Sequence, residues 1–210
     1  MNLKIVPFVA IPLILIAGHS EQQPIQTLLT QAQLPVVAAP QPSTQIQPPA
    51  SPTTETQRVY LAGRRVSFVP PAGFTAMTPK EIAFKFPRGT NQPQYVYANK
   101  RRSVSVAITF SQAQISPEQL PELKNFLPKF LEQVRPGIKW ITQDFTVINK
   151  VRWIQLEFIS NAIDTNIHND AYFTSFDGKM LGFNFNSTVE EYDGVSAELI
   201  KSRNSITIRK

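Results

Sequence analysis

The chain has 210 residues, 42% of them hydrophobic, with 21 Lys and Arg against 15 Asp and Glu for a net charge of +6. It has no cysteine, which excludes disulfides, thiolate metal sites and thiol catalysis, and only two histidines, His19 and His168. Lys4 is the sole basic residue before position 58, so the positive excess belongs to the remainder of the chain.

Lys4 is followed by an apolar run from Ile5 to Ala17, then by Gly18, His19 and Ser20. A charged start, a short apolar stretch and small residues are the layout of a secretion signal over residues 1–20, too short for a comfortable membrane span. The lead-in Leu15-Ile16-Ala17-Gly18 is like that of a lipoprotein, but His19 stands where the lipidated cysteine would be, so lipidation there is excluded. Residues 21–57 are rich in Gln, Pro, Thr, Ser and Ala, without aromatics and with only Glu21 and Glu55 charged. Such composition cannot bury enough apolar surface to offset the ordering entropy, and reads as a tether. Residues 58–210 are then the folded domain.

Within the domain, Val59-Tyr60-Leu61 and Val66-Ser67-Phe68 read as a hairpin turning at Ala62-Gly63-Arg64, stopped by Pro70-Pro71. Thr78-Pro79-Lys80-Glu81 reads as a short helical turn, and Phe84 and Phe86, alternating across Lys85, as a short strand. Residues 103–110 carry the clearest period-two pattern, with Val104, Val106, Ile108 and Phe110 on one face, which predicts a half-buried antiparallel strand. Ser116-Pro117-Glu118-Gln119 fits a capping box. It opens a helix whose apolar face runs through Leu120, Leu123, Phe126, Leu127, Phe130, Leu131 and Val134, with Pro128 expected to kink or split it. Two long strands meet at Asn149-Lys150, two more at Asp177-Gly178, and a helix beginning near Ser187 or Thr188 precedes a short closing strand. Antiparallel pairs with helices between them predict an α+β fold, an antiparallel β-sheet with helices packed on its faces in an α/β/α-type sandwich.

Several of these features occur together: the extended opening from Val66 to Phe74, Trp140 and Val151-Arg152-Trp153 around the long hairpin, Ala171-Tyr172-Phe173-Thr174-Ser175 with Asp177-Gly178-Lys179, and the closing Ser205-Ile206-Thr207-Ile208. Together they resemble the PsbP/DcrB-like superfamily over about residues 59–209. The resemblance implies a PsbP-like sheet-and-helix domain and small non-enzymatic proteins that bind partners; it supplies no catalytic motif and no site residue.

Chemistry from the residues themselves is sparse, with no Gly-x-Ser-x-Gly elbow and no phosphate loop. Asp164, Asn166, His168 and Asp170, two apart on an extended segment, would share a face and could meet a hard divalent cation, or could simply be a polar loop. Asp144 and Glu157 could form an acid/base pair across the long hairpin, or a surface ion pair. Tyr95 and Tyr97 beside Lys100, Arg101 and Arg102 give an aromatic and basic surface suited to a partner. The reading is an exported, envelope-associated, non-enzymatic module holding an envelope protein, with no cofactor and no nucleic acid. The alternatives are a metal-assisted enzyme centred on His168, or peripheral contact with membrane or cell wall through basic hairpin tips.

Overall fold

The computed structural model describes residues 58–86, 92–162 and 165–209, so the expected signal and tether lie outside the described residues. A small antiparallel sheet forms from β1 (Val59–Leu61), β2 (Val66–Phe68) and β10 (Thr207–Ile208), in the order β1-β2-β10. A larger, wholly antiparallel sheet has the order β3-β4-β5-β9-β8-β7-β6. Its strands are β3 (Thr75–Ala76), β4 (Tyr95–Ala98), β5 (Ser105–Gln114), β6 (Lys139–Ile148), β7 (Val151–Asn161), β8 (Asn166–Phe176) and β9 (Lys179–Thr188). The helices are α1 (Pro79–Lys85), α2 (Leu120–Val134, entered through a 3-10 turn at Pro117–Gln119) and α3 (Val189–Asn204).

Strand alternation divides the large sheet into two covered faces. On one, Val106, Ile108, Trp153, Tyr172, Leu181, Phe183 and Phe185 form a core with Leu61, Val66 and Phe68 of the small sheet and Leu199 of α3. On the other, Ile154, Leu156, Phe158 and Phe173 receive Leu120, Leu123, Leu127 and Leu131 of α2, while Val96, Ala98 and Ala107 receive Ile82 of α1 and Phe86 at its end. This is the expected α+β sandwich, with helices on both faces of an antiparallel sheet. Among the described residues no helix is long and apolar enough to cross a membrane.

The turns follow the sequence closely. Asn149-Lys150 and Asp177-Gly178 all take positive φ, the left-handed pair that matches the twist of two hairpin strands. Asn149 Nδ2 also donates to the carbonyls of Asn204 (2.9 Å) and Ile206 (2.7 Å), tying the β6–β7 turn to the end of α3.

Four expectations are corrected. Phe84 and Phe86 do not form a strand. The Thr78 hydroxyl accepts from the Glu81 amide while Glu81 accepts from the Thr78 amide, and this reciprocal cap carries α1 through Lys85. Strand β5 is buried on both faces at Ser105 and Ala107, because α1 covers the side expected to face water. Pro128 does not split α2, which runs unbroken from Leu120 to Val134 with Pro128 buried on its inner face beside Leu127 and Leu131. The apolar stripe of α2 is narrower than expected, since Phe126 and Val134 are exposed.

Candidate functional site

Alternation along β7 and β8 aims Gln155, Glu157, His168, Asp170 and Tyr172 toward the face that carries α3, with Glu157 opposite Asp170 and Gln155 opposite Tyr172. Helix α3 starts at Thr188, whose hydroxyl accepts from the Glu191 amide, and brings Tyr192 and Arg203 onto these groups. His168 Nε2 lies 3.0 Å from Glu157 Oε1, and its ring stacks on Tyr192 with centroids 3.6 Å apart. Thr142 Oγ1 donates to the other carboxylate oxygen of Glu157 at 3.2 Å. Alongside, Tyr172 Oη donates to Asp170 Oδ2 (2.6 Å), Gln155 Nε2 donates to Asp170 Oδ1 (3.0 Å), and Arg203 Nη1 donates to Tyr172 Oη (2.9 Å).

Burial sets the electrostatics. It raises the Asp170 carboxyl to about 6 despite the two hydrogen bonds that pull it down, and it pushes the Tyr172 phenol up, with the Asp170 charge adding to the effect. It lowers the His168 imidazole, with Glu157 pulling the other way. The result is a buried network whose polar groups are bonded to one another beneath α3. A substrate would have to lift α3 to reach His168, which is 5% exposed.

The four sequence-derived metal candidates are placed differently from one another. Asp164 lies outside the described residues, and Asn166 is exposed at the start of β8. His168 and Asp170 share a face as expected, but Nε2 of His168 is held by Glu157 and both Asp170 oxygens accept from protein donors. Among the described residues no group of three His, Cys, Asp or Glu is arranged to hold a metal ion. Asp144 and Glu157 lie on one face but are not register partners: Asp144 faces Gln155, and Glu157 faces Thr142.

The aromatic and basic surface is divided as well. Tyr97 packs edge-on against Phe68 at 5.3 Å and is half-buried, so it belongs to the core margin. Tyr95 is 40% exposed, edge-on to Phe110. Arg102 takes φ +60° and pins the β4–β5 turn to α1: Nη2 donates to Glu81 (2.7 Å), Nη1 to Thr75 (3.1 Å), and its carbonyl accepts from Lys85 Nζ (2.6 Å). The Thr78 amide and the Arg102 guanidinium hold Glu81 down at about 2, and burial lowers Lys85 to about 8. Lys100 is exposed, and Arg101, 74% exposed, pairs with Glu191 at the start of α3.

Next to this turn, α1 presents a residue that the sequence reading missed. Phe84 is 79% exposed, the most exposed of the large hydrophobic side chains among the described residues. The signal was present: with Thr78 and Glu81 as a capping box, Ile82 and Phe86 share the inward face at i and i+4, which turns Phe84 outward.

No family model matches the chain, and no curated protein matches it. Among solved structures it is similar to cyanobacterial PsbP (CyanoP) from Synechocystis sp. PCC 6803, at 15% identity and a TM-score of 0.55, over 73% of this chain and 92% of that one. It is also similar to LpqN of Mycobacterium tuberculosis, described as involved in cell envelope biogenesis, at 14% identity and a TM-score of 0.49, over 73% of this chain and 90% of that one. The likeness to CyanoP shows the fold, the PsbP-like sheet and helices that the sequence resemblance implies.

Proposed function

We propose that this chain, built on a PsbP-like fold, is an exported, envelope-associated module that holds a protein partner and performs no catalysis. The reading of residues 1–20 as a secretion signal supports the compartment. The observation that carries the binding reading is Phe84, an exposed aromatic on a helix pinned to a turn that bears the exposed Lys100, with Arg101 beside it paired to Glu191 at the start of α3. An aromatic anchor beside cations on a preordered support suits a protein surface with acidic character. The buried network supports the absence of catalysis, since its groups are committed to one another rather than to an open cleft.

The anionic-surface alternative is less favoured by the first hairpin tip. Arg64 lies over Tyr60 at 4.1 Å, and Arg65 pairs with Asp177 and stacks on Phe176. Those cations are held against their own domain.

The test is crosslinked capture from an envelope fraction by the full-length chain. A specific partner is expected with the native chain and with His168→Gln, and its yield is expected to fall about tenfold or more with Phe84→Ser, Lys100→Glu and Arg101→Glu combined. Loss on His168→Gln with an unchanged melting temperature would contradict this reading and place the functional site at the His168 network.

A further inference from the structure

The face of the large sheet that carries α1 and α2 is covered in two separate pieces. Helix α1 packs over Val96, Ala98 and Ala107, and α2 packs over Leu156, Phe158 and Ala171. Between the two pieces runs β9, which turns Asn184 and Asn186 toward this face. Two rows of register partners cross the gap. One is Ala98, Ser105, Asn186, Asn169 and Phe158; the other is Val96, Ala107, Asn184, Ala171 and Leu156.

Ser105, Asn169 and Asn186 are 0% exposed. Yet Ser105 Oγ, Asn169 Oδ1, Asn184 Oδ1 and both amide atoms of Asn186 have no hydrogen-bond partner among the described residues. The other two such atoms there, Trp153 Nε1 and Ser187 Oγ, lie on the opposite face of the sheet. Asn169 is held by its nitrogen: Nδ2 donates to Ser160 Oγ (3.0 Å) and to the Ile167 carbonyl (3.0 Å), which leaves Oδ1 for a donor. A buried polar atom without a partner is costly. Five on neighbouring positions, flanked by the short side chains of Ala98, Ala107 and Ala171, mark a site for a ligand that pairs them.

The set of atoms defines the ligand. Neither row contains a charged residue, and a buried charge would go uncompensated, so the ligand is neutral. Carboxamide oxygens only accept, Asn186 Nδ2 only donates, and the Ser105 hydroxyl does either, so the ligand is rich in donors and carries an acceptor. A primary amide has that pattern.

We infer that this strip binds a small neutral ligand through a primary amide group. The ligand carbonyl accepts from Asn186 Nδ2, and its two N–H groups donate to Oδ1 of Asn186 and of Asn169. Ser105 and Asn184 receive the polar groups that follow the amide on a larger ligand. The site lies beneath the helices rather than on the outer surface of α1, so it goes beyond the protein-partner reading and does not rest on it.

The probe is acetamide, titrated into the isotope-labelled full-length chain while side-chain amide resonances are followed. Those of Asn186 and Asn169 are expected to shift, with half-saturation at about 1 mM, a range open to a ligand of so few atoms. Methyl acetate, similar in shape but without an N–H donor, is expected to leave them in place. Asn186→Leu removes two unpaired atoms at similar volume. It is expected to abolish the Asn169 shift and to raise the melting temperature of the ligand-free chain by about 2–4 °C. No shift with acetamide overturns the inference, and so do equal shifts with the two compounds. Contacts from water to the Asn186 amide that persist at saturating acetamide also overturn it, in favour of buried water only. The comparison of the two compounds uses the native chain, so it decides the matter even if Asn186→Leu does not fold. None of these results bears on capture through Phe84, which is read out on the outer surface of α1.

Discussion

Phe183→Ala is expected to cost about 3–5 kcal/mol of folding stability, the loss typical of a large aromatic removed from a core. Phe183 sits on β9 between Ile108 of β5 and Tyr172 of β8, fully buried. Its ring meets Phe68 edge-on at 5.5 Å and Trp153 edge-on at 6.0 Å, so one side chain joins the small sheet to the centre of the large one. Neither neighbour can close the gap without pulling a strand out of register, which is why a value at the upper end is expected. Urea unfolding measures it as a drop in midpoint at unchanged slope. A loss below about 1 kcal/mol would mean that the two sheets are not joined through this ring.

Asp170→Asn is expected to change how stability depends on pH. Asp170 titrates near 6 in the fold, above its ordinary value of 3.8, because ionising it inside the network beneath α3 is opposed by burial. A raised carboxyl favours the fold while protonated. That contribution is whole below about pH 4 and is lost as pH rises through about 6, amounting to about 3 kcal/mol over the window. Asparagine is an uncharged replacement, so the variant should gain on the native chain by up to that amount between pH 4 and pH 7. His168 is lowered and slopes the opposite way, but it is present in both proteins and largely cancels in the difference. Glu157, Tyr172 and Arg203 face Asp170 from their own elements and are also common to both. Denaturation at several pH values decides it; parallel curves for the two proteins would show that Asp170 does not ionise at the cost described.

The sequence made the fold legible where local chemistry and tertiary packing agree. Asp177-Gly178 names its own turn, Ser116-Pro117 marks the approach to α2, and the alternation at Val104, Val106 and Ile108 marks β5. It was least legible where packing overrides pattern. Ser105 and Ala107 look like a wet face until α1 is known to cover it, and Pro128 looks like a break until its burial on the inner face of α2 is seen. Strand β8 begins at Asn166, before the apolar run, because its early residues pair with the end of β7 and with β9 rather than packing by hydrophobicity.

The candidate sites were half legible for the same reason. Spacing placed His168 and Asp170 on one face, but their partners Glu157, Gln155, Tyr172, Tyr192 and Arg203 come from neighbouring strands and from α3, which no spacing rule along one segment can bring together. Tyr97 and Arg102 read as surface from their types and are instead the packing and the pin that hold the β4–β5 turn. Phe84 was hidden by a two-residue alternation that imitated a strand.

The central claim is that recognition occurs on α1 and the β4–β5 turn while the network under α3 is structural. Its most direct test is main-chain hydrogen exchange of the full-length chain with and without the captured partner. Slowed exchange over residues 80–86 and 99–103, with β8 and α3 unchanged, is the result expected. Slowing confined to β8 and α3, with the α1 surface unaffected, would contradict the account and place function at His168 and Asp170.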